Sequence, residues 1–207
     1  MYLIKTPFWL RAIYPSGRWR IPTNQKVIYL SFDDGPHPQA TSFVLDQLNK
    51  FNAKGTFFCI GKNVLAFPNL FETILSQGHS VGNHTYDHLN GWKECRQEYI
   101  QNIKAASKLI SSNLFRPPYG RIKPSQIKSL RQDSSLPQQI ILWDVLSADF
   151  DTRLNGLQCA QHVIKNALPG SIVVFHDSAK AWERLQVALP IVLDHFTSLG
   201  YSFEAII

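Results

Sequence analysis

The sequence predicts an α/β protein whose parallel sheet curls into a closed or nearly closed barrel. Short apolar runs alternate along the chain with segments of helical periodicity, which is typical of βαβ units. About seven such units follow one another without a change of composition that would mark a linker. The 207 residues, 44% of them hydrophobic, suffice for one sizeable core. We therefore expect a single barrel domain with its chemistry at the carboxyl ends of the strands.

Seven short segments are apolar enough to form the strands of this barrel. In chain order they are residues 27–33, 56–60, 80–84, 115–118, 139–145, 171–176 and 201–207. The segment 1–26 precedes them and is rich in proline and aromatic residues. We expect it to be an irregular arm packed on the barrel domain of residues 27–207.

Six helices are predicted between the strands. The second lies between Pro68 near its start and Gly78 after its end, positions that these residues favour. Apolar residues at helical spacing predict most of the others. They cover residues 43–51, 92–112, 125–131, 157–168 and 182–199. Pro190 lies inside the last of them and is expected to kink or split it.

Composition excludes several classes of protein. Lys and Arg exceed Asp and Glu by six, but they are scattered along the chain, so the sequence predicts no nucleic-acid partner. It contains no apolar stretch long enough for a transmembrane helix and no recognisable signal peptide. Its three cysteines are far apart and favour a reducing compartment. These features predict a cytoplasmic protein.

Two neighbouring carboxylates, Asp33 and Asp34, end the first predicted strand just before Gly35. Neighbouring side chains of an extended strand point to opposite faces, so both carboxylates reach one pocket only at the turn, which Gly35 permits. Two adjacent carboxylates repel each other. Such a pair therefore suggests that a cation binds there or that the two carboxylates have different chemical roles. A solvated turn is the alternative interpretation.

His84 ends the third predicted strand, and His88 follows it four residues later, so the pair stands at positions i and i+4. On a helical turn this spacing brings both imidazoles close enough to share a metal ion. Asp34, from a neighbouring strand end, would complete a set of three ligands that leaves positions open for water. A chance pair is the alternative, because the chain has seven histidines.

Other strand ends carry further polar residues. Arg116 precedes two prolines in a rigid turn and can hold a carboxylate in its ionised form. His176 ends an apolar strand and is a candidate general acid. Three aspartates near the end of the fifth strand are candidates to orient it: Asp144, Asp149 and Asp151. Taken together, these strand ends predict a metal-dependent hydrolase.

Several segments resemble the NodB-homology polysaccharide deacetylases, carbohydrate esterase family 4, over about residues 26–207. They are residues 31–35, 56–61, 84–88 and 116–120. The resemblance implies a distorted barrel of seven β/α units that removes acetyl groups from sugars with the help of a divalent metal ion. Zinc is the default metal. The implied ligands are Asp34, His84 and His88.

The resemblance also implies roles for four other residues. Asp33 would be the general base, kept ionised by Arg116. His176 would be the general acid, and the backbone N–H of Tyr119 would help to bind the oxyanion. We expect the substrate to be an N-acetylated amino-sugar glycan or glycolipid. The alternatives are a metal-dependent amidase acting on a small non-sugar amide and an inactive glycan-binding relative.

The chain departs from the family pattern in one motif. The family commonly has an aspartate four residues before a tryptophan, where this chain has Leu146 and Phe150. Asp144 lies two residues before Leu146 on the same face of the predicted strand. We therefore expect Asp144 to orient His176 as a further catalytic-site residue. The sequence leaves the exact sugar and the oligomeric state open.

Overall fold

The computed structural model describes residues 2–207 as one α/β barrel. The strands are Gly17–Arg18 (β1), Val27–Asp33 (β2), Gly55–Cys59 (β3), Ser80–Asn83 (β4), Leu114–Phe115 (β5), Gln139–Ile141 (β6), Val145–Leu146 (β7), Ile172–His176 (β8) and Ser202–Phe203 (β9). The helices are Phe8–Ile13 (α1), Pro38–Lys50 (α2), Gly61–Ala66 (α3), Pro68–Ser76 (α4), Arg96–Ser107 (α5), Pro124–Gln132 (α6), Gly156–Asn166 (α7) and Trp182–Ser198 (α8), and a 3₁₀ turn spans Pro118–Gly120.

The strands form one parallel sheet in the order β1-β6-β5-β4-β3-β2-β8-β7, and β9 also pairs with β2. β6 and β7 lie towards opposite ends of this order, yet only residues 142–144 separate them in the chain. The strand expected over residues 139–145 is therefore two strands. The first pairs with β5 and the second with β8, so the chain must turn between them and thereby closes the barrel.

The N-terminal arm covers the seam between β6 and β7. β1 extends the sheet beside β6, and the backbone N–H of Leu142 donates to the carbonyl oxygen of Arg18 at 2.9 Å. Nearer the N-terminus, Thr6 N–H donates to Asp144 O at 2.9 Å, and Leu146 N–H donates to Ile4 O at 2.8 Å. The arm thus contains a helix and a strand where an irregular segment was expected. Met1 lies outside the described residues.

Three other elements differ from the sequence-based expectations. α8 runs without interruption through Pro190, because its buried apolar face packs along α7 and α2. α3 was not predicted, and the last strand is limited to β9 instead of residues 201–207. No helix within residues 2–207 is both long and apolar enough to cross a membrane.

The alternation of side chains along β2 positions the functional site. Phe32 belongs to the hydrophobic core beneath the helices, where its ring lies 5.0 Å from that of Phe57. Ser31 and Asp33 therefore share the opposite face, and both contact the buried guanidinium of Arg116. The polar end of β2 thus points towards the interior of the barrel mouth.

Candidate metal and catalytic site

Asp34, His84 and His88 lie together at the mouth of the barrel. Their ligand atoms are all within 4.8 Å of one another. The Nε2 atoms of His84 and His88 are 3.6 and 3.1 Å from Oδ1 of Asp34. The structure therefore places in one cluster the three residues that the sequence assigned to a metal.

The donor chemistry of this cluster fits a divalent metal ion. Nδ1 of His84 lies 2.7 Å from the carbonyl oxygen of Arg116, which only accepts, so Nδ1 carries the proton and Nε2 keeps a free lone pair. Burial lowers the pKa of His84 to about 4, which keeps this imidazole neutral as a metal ligand requires. Oδ1 of Asp34 is buried, and its nearest polar neighbours among the described residues are the Nε2 atoms of the two histidines. Three potential ligand atoms that face one another in this way suit a cation.

Asp34 reaches the cluster because its own backbone is left-handed, with φ 79°. This conformation is uncommon outside glycine and breaks the alternation of side chains that would separate Asp33 from Asp34. Gly35 permits the turn, as predicted, but not through a left-handed φ of its own. Gly35 is needed for space instead: a Cβ there would lie 2.1 Å from Oδ2 of Asp177.

The two histidines are not on a helical turn. Residues 84–88 form an irregular loop in which Thr85 and His88 are left-handed, with φ 64° and 60°. Asn83 and Asn102 hold this loop through their side-chain oxygens. Oδ1 of Asn83 accepts from Thr85 N–H at 2.8 Å, and Oδ1 of Asn102 accepts from Tyr86 N–H at 2.8 Å. His84 and His88 are therefore close together, as predicted, but an irregular loop brings them together instead of a helical turn.

Asp33 forms a buried ion pair with Arg116. Nη1 of Arg116 lies 2.6 Å from Oδ1 of Asp33, and both side chains are almost fully buried. The same guanidinium also donates to Ser31 Oγ at 2.8 Å and to the carbonyl oxygens of Ile141 and Leu142. These bonds fix the guanidinium in one orientation, so it holds Asp33 in place as a carboxylate.

His176 is paired with Asp149 and not with Asp144. Nδ1 of His176 lies 2.7 Å from Oδ1 of Asp149, and the backbone N–H of His176 donates to Oδ2 at 2.8 Å. Burial alone would lower the pKa of His176, but the Asp149 carboxylate, with smaller contributions from Asp34 and Asp33, outweighs it and the pKa rises to about 9. A raised pKa favours the imidazolium, the form of histidine that can donate a proton.

The prediction that Asp144 orients His176 was wrong. Asp144 is fully buried at the seam, where Lys5 Nζ and Ser171 Oγ donate to its carboxylate at 2.7 and 2.6 Å. Arg11 also donates to it, and Arg20 Nε lies 3.4 Å away. The residue therefore fastens the N-terminal arm to the barrel. The chain turns between β6 and β7. Asp144 therefore does not lie on the face that was predicted from the alternation of side chains along one continuous strand.

Tyr119 lies in the 3₁₀ turn beside the cluster. Its backbone is left-handed, with φ 60°, and its ring centroid is 4.8 Å from that of His88. The N–H groups of Gly120 and Arg121 donate to the carbonyl oxygens of Pro117 and Pro118, which fixes the turn. The role of the Tyr119 N–H towards an oxyanion remains a prediction.

Comparison with known proteins identifies the family. The family model described as polysaccharide deacetylase matches residues 20–134. A peptidoglycan-N-acetylglucosamine deacetylase of Bacillus cereus is 33% identical over 204 residues, covering 95% of this chain and 94% of that protein. The chain belongs to the polysaccharide deacetylase family.

Other relatives of this polysaccharide deacetylase extend the likeness. A chitooligosaccharide deacetylase of Azorhizobium caulinodans is 33% identical over 76% of this chain and 77% of that protein. A crystal structure of a peptidoglycan N-acetylglucosamine deacetylase superposes with a TM-score of 0.86 at 29% identity, covering 97% of this chain and 95% of that one. The chain spans 38% to 58% of some longer curated relatives. The predicted resemblance and the predicted barrel fold are confirmed.

Several residues of the deacetylase site were not found from the sequence. Asp149 was one of three aspartates considered, and the spacing of the sequence did not separate it from the other two. The sequence did not indicate Asn83 and Asn102, because they hold an irregular loop whose structure cannot be predicted from the spacing of apolar residues. Asp177 follows His176 directly and contacts the loop after β2, as described below.

Asp177 holds the loop that carries Asp34. Its Oδ1 accepts from Gly35 N–H at 3.1 Å, and its Oδ2 accepts from the hydroxyl of Thr41 at 2.5 Å. Its own N–H donates to Asp33 O at 3.0 Å. Burial, together with the nearby carboxylates Asp34 and Asp33, raises the pKa of Asp177 to about 8. The loop is therefore tied to β8, the strand that also carries His176.

Proposed function

We propose that this polysaccharide deacetylase removes N-acetyl groups from an amino-sugar glycan, with a divalent metal ion bound by Asp34, His84 and His88. One observation carries the proposal: a carboxylate held by a buried arginine and a histidine held by a carboxylate both border the candidate metal ligands. The names of the relatives, which include peptidoglycan and chitooligosaccharide deacetylases, support a glycan substrate.

A metal ion in this site would polarise the acetyl carbonyl and lower the pKa of a water molecule. Asp33 accepts a proton from the attacking water as its oxygen forms a bond to the acetyl carbon. The backbone N–H of Tyr119 donates to the carbonyl oxygen as negative charge develops there.

The tetrahedral carbon then releases the amine. His176 donates its proton to the amide nitrogen while the carbon–nitrogen bond breaks, which yields acetate and a free amino sugar. Asp149 stabilises the imidazolium before this transfer and keeps its orientation through two hydrogen bonds. Zinc suits two imidazoles and one carboxylate, and it is the metal that we propose.

The test is the release of acetate from N,N′,N″-triacetylchitotriose, followed by NMR together with the appearance of free amine. Zinc-loaded wild-type protein should release acetate, and Asp33→Asn, which has the same shape, should be slower by about 10²–10⁴-fold at equal zinc content. Full activity of Asp33→Asn would refute the base assignment. Binding of the sugar without any release by the wild type would favour the inactive glycan-binding alternative.

A further inference from the structure

The short helix α1 presents its apolar side chains to solvent instead of to the protein. Phe8 is 84% exposed and Trp9 is 52% exposed, and they share the outward face of the helix with the exposed Ala12. The inward face carries Arg11, whose guanidinium donates to the buried carboxylate of Asp144. A surface helix normally buries its apolar face and leaves its charges in water. The reversed arrangement indicates that the outward face of α1 meets an apolar partner.

The attachment of the arm holds Phe8 and Trp9 in this exposed position. Before the helix, the backbone N–H of Thr6 donates to the carbonyl oxygen of Asp144 at 2.9 Å. After the helix, the carbonyl oxygen of Arg18 accepts from the backbone N–H of Leu142 at 2.9 Å. α1 is thus fastened to the seam at both ends, and its two aromatic side chains lie outside the hydrophobic core.

The arm that carries α1 is also strongly basic. Residues 1–26 contain five Lys and Arg, and all 15 Asp and Glu of the chain follow them. The arm therefore supplies five of the six net positive charges of the chain. At the seam, Lys5, Arg11 and Arg20 share the single carboxylate of Asp144, and their side chains remain 28% to 33% exposed. An excess of positive charge beside α1 consequently faces water.

We propose that α1 and the cations beside it dock on the surface of an anionic lipid bilayer. Trp and Phe side chains enter the boundary between head groups and acyl chains, and Lys and Arg attract anionic lipids. A soluble polyanion would match the charge of the arm, but it offers no apolar phase for Phe8 and Trp9. Two inserted aromatic side chains support only weak, reversible binding, which the cations strengthen. This surface is separate from the metal site, so its test does not depend on acetate release.

A second exposed apolar patch provides a matched control. Leu65 on α3 is 60% exposed, and Phe67 and Leu75 are exposed nearby. α3 follows β3, which lies well inside the strand order, whereas the arm covers the seam where the barrel closes. Residues 61–76 carry one Lys and one Glu, so this patch has apolar exposure without net charge. It therefore lacks the attraction to anionic lipid that the arm has.

Cosedimentation with vesicles tests the docking surface directly. Wild-type protein should bind vesicles of equimolar phosphatidylglycerol and phosphatidylcholine, and it should bind vesicles of phosphatidylcholine alone about tenfold more weakly. Phe8→Ser/Trp9→Ser should bind the anionic vesicles about 10–100-fold more weakly than wild type, because two apolar side chains are no longer buried. Leu65→Ser should bind them like wild type. All three substitutions are at exposed positions, and circular dichroism checks that the variants are folded.

Tryptophan quenching distinguishes insertion from attraction by charge. Brominated phosphatidylglycerol quenches the emission of tryptophans that enter the bilayer. Trp9→Phe keeps an apolar side chain, so it should bind anionic vesicles normally yet lose most of the quenching. Quenching that is unchanged in Trp9→Phe would show that another tryptophan enters the bilayer and would overturn the assignment of α1.

Three results of the vesicle experiment would also overturn the proposal. One is that wild-type protein does not bind anionic vesicles, or that Phe8→Ser/Trp9→Ser binds them equally well. Another is that Leu65→Ser loses binding, which would place the docking surface on α3. The third is that wild type and Phe8→Ser/Trp9→Ser bind dextran sulfate as tightly as wild type binds anionic vesicles, which would assign the basic arm to a soluble polyanion.

Discussion

His176 receives two hydrogen-bonding contacts from one carboxylate: Asp149 lies 2.7 Å from its Nδ1 and accepts from its backbone N–H at 2.8 Å. The pair fixes both the ring and the strand end that carries it. Nε2 is consequently the nitrogen left to face a substrate. This arrangement resembles the carboxylate–imidazole pairs that orient acids and bases in other hydrolases.

Replacement of Asp149 should change the pH dependence of turnover. In the wild type, activity should fall as pH rises through the His176 pKa of about 9, because the deprotonated imidazole has no proton to donate. Asp149→Asn removes the largest of the charges that oppose the effect of burial, so this basic limb of kcat against pH should move down towards the ordinary value of 6.5. Asp144→Asn is the control and should leave the limb in place. An unmoved limb in Asp149→Asn would refute the pairing.

Asp144→Asn should instead reduce the stability of the fold. The buried carboxylate accepts from Lys5, Arg11 and Ser171, and these bonds attach the arm to the seam. Loss of charge-assisted hydrogen bonds should lower the free energy of unfolding by about 1–3 kcal/mol, measured by urea denaturation. Asp194→Asn, at an exposed position of α8, should change it little. Equal stability of the two variants would show that the Asp144 cluster contributes nothing to the attachment of the arm.

Asp177 should affect metal affinity although it is not a ligand. Asp177→Ala leaves the N–H of Gly35 and the hydroxyl of Thr41 without their acceptor, so the loop that positions Asp34 loses its tie to β8. We expect the zinc Kd to rise by about 10–100-fold, as for other residues that orient a ligand indirectly. Asp177→Asn keeps an acceptor for Gly35 and should retain more of the affinity. A folded Asp177→Ala protein with wild-type zinc affinity would contradict this positioning role.

The sequence predicted where most of the strands lie along the chain and which residues follow them, but not the backbone conformations that bring these residues together. Val27–Asp33 was predicted with its exact bounds because a continuous apolar run between polar ends determines it. Asp34, His88 and Tyr119 are all left-handed in the structure. Left-handed φ values are uncommon for Asp, His and Tyr, so no local propensity of these residues predicts them. The geometry of the site therefore could not be obtained from spacing.

The error at Asp144 has the same origin. Strand alternation was extended across residues 142–144, where the chain leaves β6 and joins β7 on the other side of the seam. A barrel that closes through one bent segment requires such a break, and the position of the break depends on long-range pairing with β5 and β8. Asp149, beyond β7, was then the aspartate within reach of His176.

We propose that deacetylation depends on a metal site formed by Asp34, His84 and His88. The most direct test adds zinc stepwise to chelator-treated protein and follows both the binding heat and acetate release from triacetylchitotriose. We expect one tight site per chain, with activity rising in proportion to bound zinc up to one equivalent, and neither signal in folded His88→Ala. Full activity of the metal-free protein, or the same zinc site in His88→Ala, would contradict the assignment of this metal site.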